Sequence, residues 1–514
     1  MPERILVHPA RYHDSAFLMR LSQRLAEGAG LEEAVVVMGT ELNRELLAGV
    51  GFHSPELEAT GPMDLVIALR AALPAALDRA EAECERLLSE AAAPPAPGTA
   101  ARPASLREAL ASYPQADLVS VAVPGEYAAH VAMAALRAGR HVFLFSNNVP
   151  LPQEIALKRE ARERGLLVMG PDCGTAILGG VGLGFANRVR RGPVGLVGAS
   201  GTGLQEVSSL LHQLGSGVSQ AIGTGSRDLT AEVGATMTEA GLRLLAADPD
   251  TRVIGLVAKH PAEQVATRLH GLLASLEKPV VVRYLGQAAR PDRDGVRYAG
   301  SLEEAACAAA SLAAAPRDRL VEPACPLEDD VRALAGRDPG SAGRLVGLFG
   351  GGSLASEAAL VLRGRGLEVH EPDAPLPARG PLPGQAHLVV DTGEDFYTRG
   401  KPHPMVDQTV RCGLIRSLGA DPGVGVLLLD LVLGDGAHPD PAVELAAAVS
   451  ATRAARGHAP LTVIASVTGT ELDPQDANRQ RALLTAAGVH CQPSAWRAAA
   501  VAAGLVAGAE GRAS

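Results

Sequence analysis

The sequence predicts an α/β protein of several Rossmann-like or flavodoxin-like parallel-sheet domains, preceded by a small α/β module. Three observations carry this prediction. Short apolar runs without alternation, such as DLVSVAVP (117–124), VGLVGAS (194–200) and VGVLLLD (424–430), are separated by stretches of helical spacing. Strands buried on both faces read this way, and intervening helices imply parallel order. Two Pro-rich breaks divide the chain, and 514 residues suggest three or four domains at about 150 residues each.

Composition excludes several classes. With 47% hydrophobic and 20% charged residues the chain can build large cores and is not disordered. Aromatics are only 3%, so those cores must be Ala, Leu and Val. A net charge of -10 with scattered basic residues argues against a nucleic-acid partner. The six cysteines lie far apart without a C-x-x-C pair, which fits a reducing compartment and no metal site. The start, MPERILVHPARYHD, lacks the apolar stretch of a signal peptide, and no apolar run is long enough to cross a membrane. A cytoplasmic protein without a membrane partner is expected.

In chain order, residues 1–90 form the small module. Its strands are ILVH (5–8), AVVVM (34–38) and DLVIALRA (64–71), and its first helix places Phe17, Leu18, Leu21 and Leu25 on one face. Residues 91–105, AAAPPAPGTAARPAS, read as an extended spacer. Residues 106–191 alternate strands (117–124, 141–146, 166–170) with helices. Residues 192–314 repeat the rhythm with strands at 194–200, 220–225, 253–258 and 279–285. A second linker, 315–340, precedes a last unit, 341–514, whose strands are 345–350, 387–391, 424–430, 461–467 and 489–493. The strand, Gly-rich turn, helix opening occurs twice, at VGASGTG and FGGGSLA, which suggests two similarly folded halves.

The candidate sites lie where strands end, the ligand-binding edge of parallel sheets. Ser200, Gly201, Thr202 and Gly203 lead from a buried strand into a helix, whose first N–H groups lack internal partners and attract anions. The alternative is a tight turn with a hydroxyl cap. Gly350, Gly351, Gly352 and Ser353 repeat the device, and two facing helix ends would cradle one anhydride. Gly223, Thr224 and Gly225 offer further backbone donors beside Arg227, a fork suited to carboxylate or phosphate. Asp172, Lys259, Glu394 and His438 complete the polar set on the same edge. A metal site around 435–440 lacks a third ligand.

VAVPGEYAAHVAMAALRAGRHVFLFSNNVP and GLLVMGPDCGTA resemble the CoA-binding domain of succinyl-CoA synthetase α chains; GPVGLVGASGTG, IGTGSRD and VRYAGS resemble its ligase domain. Over the whole length, with HDSAFLM, MGTELNRELL, DTGEDFYTRGKPHPM and DLVLGDGAHPDP, the chain resembles the FdrA branch of that superfamily. The resemblance implies one CoA-binding-like and two ligase-like domains. It also implies a subunit of an oxamate carbamoyltransferase complex in allantoin and purine catabolism, working with other protein chains. Its small-molecule partners would then be carbamoyl phosphate, oxamate or oxalurate, and phosphate.

Two departures bear on chemistry. Tyr298 stands where the synthetase has its phosphoryl-carrying histidine, and a phenol of pKa about 10 is a poor reversible carrier. Residues 102–116 are linker-like where that domain has its first strand. Both argue against coenzyme A or ATP/ADP as cofactors. On this reading Arg227 clamps an anion, with Lys259 adding charge and Tyr298 a hydrogen bond. The alternatives are an acyl-CoA synthetase, a nucleotide- and CoA-dependent ligase, and a non-catalytic metabolite-binding scaffold.

Overall fold

The computed structural model describes residues 2–92 apart from 14 and 29, then 103–288, 290–314, 327–337, 343–376, 384–398, 401–457 and 459–513. It falls into two units, one of residues 1–112 with 398–402, the other of the remainder.

The first unit is a three-stranded antiparallel sheet, β1 (Glu3–His8), β2 (Leu31–Met38) and β3 (Leu65–Ala71), in the order β1-β3-β2. Central β3 is apolar on both sides because both faces are covered. Helices α1 (Ser15–Gly28) and α4 (Pro74–Ala92) bring Leu18, Leu21, Leu77 and Leu88 to one face. Helices α2 (Glu41–Gly49) and α3 (Pro55–Glu58) and the turn between them bring Leu47, Leu57 and Phe52 to the other. Thr40 and Ser54 cap α2 and α3 through side-chain oxygens. Helix α5 (Leu106–Ser112) ends the unit. Of the expected spacer, residues 93–102 lie outside those described.

The second unit carries three sheets. The smallest is parallel, β4 (Leu118–Val121), β5 (His141–Leu144) and β6 (Val168–Met169), with helices α6 (Gly125–Arg137) and α7 (Leu151–Glu163) between them. The chain then forms a hairpin, β7 (Thr175–Leu178) and β8 (Val181–Gly184), that joins the next sheet antiparallel, a feature unmarked by any apolar run.

That sheet continues with β9 (Arg191–Ala199), β10 (Val218–Gly223), β11 (Val253–Lys259), β12 (Val280–Leu285) and β13 (Val296–Tyr298), separated by α8 (Gly201–Gln213), α9 (Thr236–Ala247) and α10 (Glu263–Ser275) and followed by α11 (Leu302–Ala313). Its order is β13-β12-β11-β9-β10-β7-β8. Counted from β9, the parallel strands run 2-1-3-4-5, the flavodoxin-like order.

The expected second linker is in part a helix, α12 (Leu327–Arg337), with Leu334 buried and Val331 packed at Gly504 of the last helix. The third sheet holds β14 (Arg344–Phe349), β15 (Val369–His370), β16 (His387–Asp391), β17 (Val424–Val432), β18 (Thr462–Thr468) and β19 (His490–Gln492) in the order β15-β16-β14-β17-β18-β19. Its helices are α13 (Gly352–Gly364), the single turn α14 (Asp395–Thr398), α15 (Thr409–Gly419), α16 (Pro441–Arg456), α17 (Ala477–Ala486) and α18 (Ala495–Ala513). Counted from β14 its order is 2-3-1-4-5-6, so the two halves share an opening and not a topology. One apolar cluster, built from α8, α11, α13 and α18, glues the two larger sheets together; Leu204, Leu302, Leu354 and Val501 are each almost wholly excluded from solvent.

Candidate functional site

The two Gly-rich turns meet. Both follow the central strand of a sheet, and the helices they open pack side by side, so their first residues touch. Ser200 Oγ lies 2.5 Å from Ser353 Oγ, and a Cβ on Gly351 would stand 3.0 Å from the Thr202 side chain. Ser200 also caps α8, accepting from the Gly203 N–H at 3.0 Å. Gly201 faces a third loop, its Cβ position 3.5 Å from Thr175 Oγ1. The N–H groups of Gly201 and Thr202 have no intrahelical acceptor available.

The two turns differ in what already occupies them. The first turn of α8 contains no acidic residue. Beside it stands Lys259, one residue past Ala258, which pairs with Ala199 across the β9–β11 ladder. The Lys259 side chain is exposed and makes no hydrogen bond or ion pair among the described residues. At α13 the Gly350 and Gly351 N–H groups donate to the Asp430 carboxylate at 2.7 and 2.9 Å, and the buried Arg411 pairs with that carboxylate at 3.0 Å. Those two donors are therefore satisfied internally and are not available to an anion, contrary to the expectation for Gly350 and Gly351. Gly352 and Ser353 remain at the surface of contact, where a Cβ on Gly352 would fall 2.3 Å from Asp391 Oδ2.

Asp391 and His403 meet at Gly393, beside the start of α13. Asp391 Oδ1 accepts from the Gly393 N–H at 2.8 Å, and burial pushes the carboxyl up to about 6, with Glu394 and Asp430 adding repulsion and Lys259 opposing. His403 Nε2 lies 2.7 Å from the Cβ position of Gly393, which must be glycine to leave it room. Burial, helped by Arg411, lowers the imidazole to about 4. Asp172 lies on the loop after β6: burial raises its carboxyl, while its hydrogen bond to Ser226 and the charges of Lys259 and Arg227 oppose, and Asp395 adds repulsion. Lys259 thus stands within electrostatic reach of the Asp172 and Asp391 carboxyls.

Other expected residues serve structure. Arg227 is no free clamp: it pairs with the buried Glu154 at 2.8 Å and donates to the Val149 carbonyl at 2.7 Å. Glu154 also holds Lys158, which reaches Asp228 at 2.9 Å, so Arg227 caps a buried charge network that ties α7 to the 224–228 loop. Gly223 and Gly225 pack on the 170–175 loop, with Cβ positions 2.4 Å from the Thr175 carbonyl and 2.3 Å from that of Pro171, and Thr224 bonds back to the Gly198 carbonyl. Tyr298 ends strand β13 rather than lying in a loop. Its phenol bonds His270 at 2.8 Å, His270 reaches Asp294 at 3.0 Å, and burial raises the phenol. His438 pairs with Glu444 at 2.9 Å and accepts from the Asp440 N–H, bracing the start of α16. Glu394 is exposed on the turn after Asp391. Asp391 and His403 both stood in the polar 391–403 stretch, where the histidine between two prolines was the available signal.

Comparison with known proteins adds the following. The description "AllF, heavy metal-associated domain" matches residues 1–103, and "CoA-ligase" matches residues 348–505. YahF of Escherichia coli is 38% identical over 498 residues, covering 95% of this chain and 96% of its own. The α-2 subunit of an ADP-forming succinate–CoA ligase from Trichomonas vaginalis is 29% identical over 35% of this chain and 58% of its own length. Among solved structures, a dinucleotide-forming acetyl-coenzyme A synthetase of Ca. Korarchaeum cryptofilum is 17% identical, with a TM-score of 0.29 over 77% of this chain and 84% of that one. An ATP citrate lyase of Methanothrix soehngenii is 21% identical, with a TM-score of 0.31 over 42% and 38%.

Two groups are implied by these names. For a heavy metal the donor set does not fit: no three His, Cys, Asp or Glu side chains among the described residues could share an ion. Cys84, the single cysteine of residues 1–103, is buried, and desolvation pushes its thiol up to about 12. For coenzyme A, the turn after β4 is closed, since a Cβ on Gly125 would lie 2.3 Å from the Asn147 carbonyl. The backbone of Asn147 and Asn148 occupies the room beside Gly125.

Proposed function

From the premise that the chain belongs to the family of Escherichia coli YahF and carries a CoA-ligase domain, we propose that it handles an acyl phosphate in the manner of an acyl-CoA synthetase. The observation that carries this reading is the start of α8: among the described residues the Gly201 and Thr202 N–H groups and the Lys259 side chain have no partner, and the Asp172 and Asp391 carboxyls lie within electrostatic reach of that lysine.

The phosphate end of the substrate binds the Gly201 and Thr202 N–H groups, where the helix end and Lys259 offset its charge. An acceptor then attacks the acyl carbon. Asp391, which exchanges its proton near pH 6, takes the acceptor's proton, and phosphate leaves with the electrons of the broken bond. In the acid–thiol ligase form the acceptor is a thiol, in keeping with the likeness to the succinate–CoA ligase subunit. The second form is carbamoyl transfer between carbamoyl phosphate and oxamate; the closed turn at Gly125 favours it, since it needs no coenzyme.

The test offers the protein acetyl phosphate with coenzyme A, and carbamoyl phosphate with oxamate, and follows thioester, oxalurate and free phosphate. Thioester supports the ligase form and oxalurate the carbamoyl form. Neither product, together with no binding of either acyl phosphate, refutes the proposal.

A further inference from the structure

His403 lies outside every role assigned above, yet its surroundings are specific. Its Nδ1 accepts from the Met405 backbone N–H at 3.2 Å. A backbone amide can only donate, so Nδ1 holds a lone pair and the ring proton resides on Nε2. That nitrogen points into the space that Gly393 leaves open, beside Asp391 Oδ1 and the Gly350 carbonyl, and makes no hydrogen bond among the described residues. The ring stacks on Phe185 with centroids 6.5 Å apart. Phe185 in turn donates its N–H to the carbonyl of Gly174, and Gly174 lies 3.8 Å from the Cβ position of Gly201. By a second route Gly350 packs on Pro404, the residue after His403, and its neighbour Gly351 packs on Thr202. Two independent chains of contact therefore fasten this imidazole to the start of α8.

We propose that His403 is a catalytic hydrogen-bond donor, its Nε2–H directed to the acyl oxygen of the substrate whose phosphate rests at the start of α8. This deepens the acyl-phosphate reading and rests on it. As the acceptor's electron pair forms the new bond to the acyl carbon, the carbonyl π pair moves onto the oxygen, where the Nε2–H meets the growing charge. The pair returns as the bridging carbon–oxygen bond breaks, phosphate departs with that bond's electrons, and the acceptor's proton passes to Asp391. The imidazole keeps its own proton throughout. Burial and the nearby Arg411 suit it to this task, because a ring that stays neutral donates from Nε2 while Nδ1 remains an acceptor for Met405. The Asp391 carboxyl faces it from β16, and Arg411 from α15.

The experiment measures the affinities of inorganic phosphate and of acetyl phosphate for the full chain and for its His403→Leu and His403→Gln variants. One hydrogen bond to the acyl oxygen corresponds to a loss of about tenfold in acetyl phosphate affinity for His403→Leu. Phosphate affinity should be unchanged, and His403→Gln, whose amide can still donate, should recover part of the loss. If the unaltered chain binds no phosphate, the α8 anion site itself is refuted. If phosphate binds normally but the leucine variant loses both ligands equally, or neither, only the role of His403 falls. Should the leucine variant not fold, nitrogen-15 spectra of the unaltered chain decide: a proton on Nε2 that responds to acetyl phosphate and not to phosphate supports the assignment, and a proton on Nδ1 overturns it.

Discussion

The starts of α8 and α13 look alike in sequence and are opposites in electrostatics. Each follows a buried central strand through a glycine-rich turn, and the two touch through Ser200 and Ser353. The difference comes from the flanking strands. Next to β9, strand β11 ends in Lys259. On either side of β14, strand β16 ends in Asp391 and β17 carries Asp430. A helix start flanked by a cation remains open to an anion from outside, while one flanked by aspartates has supplied its own. The glycines describe a shape, and the neighbouring strand ends decide what fills it.

The largest effect that would break this comparison is expected at Asp430. Asp430→Asn leaves the buried Arg411 without a counter-charge beside Gly350 and Gly351, and should cost about 3–5 kcal/mol of stability in denaturant unfolding. A loss no larger than that of a surface substitution would mean that the aspartate does not hold α13 closed.

Asp391 gives a smaller effect with a definite sign. Its carboxyl is raised from 3.8 to about 6, so the native state keeps a proton that the unfolded chain has already released. Stability from this group is therefore fully present below about pH 4 and lost as pH rises through about 6. Asp391→Asn should flatten that decline and gain on the order of 1–2 kcal/mol at pH 7, read from melting curves across the range. A steeper decline in the variant would reverse the sign of the argument.

Arg227 should give the smallest change. It ties the 223–228 loop to α7 through Glu154, and its guanidinium is partly exposed. Arg227→Ala should lower stability by about 1 kcal/mol after solvent screening and leave phosphate affinity at the start of α8 within about twofold. A selective loss of phosphate binding would restore Arg227 as a clamp.

Much of the fold was legible because its cues are local. Runs such as VGVLLLD form strands in almost any context that buries them, and glycine-hydroxyl turns open helices wherever strands end. The antiparallel hairpin at β7 and β8 was not legible: TAIL and VGLG are too short to stand out, and their pairing depends on the distant β10. Nor was the strand order, since 2-1-3-4-5 and 2-3-1-4-5-6 arise from crossovers that leave no mark in an apolar run.

The placement of Ser200–Gly203 at a helix start and of Lys259 at a strand end was readable from position alone. Arg227 misled because its partner, Glu154, lies 73 residues away and looks like any helical acid. Tyr298 misled in the same way, its partner His270 being hidden on α10. Asp391 and His403 owe their properties to burial, a property of the assembled fold.

The central claim is that an external anion enters at α8 and not at the self-neutralised turn of α13. Titration of inorganic phosphate, followed through the backbone amide resonances of both turns, tests it most directly. The account predicts that the Gly201 and Thr202 amides shift on binding while those of Gly350 and Gly351 stay in place, and that Lys259→Ala weakens the response about tenfold. Shifts at Gly350 and Gly351 with none at Gly201 would contradict it.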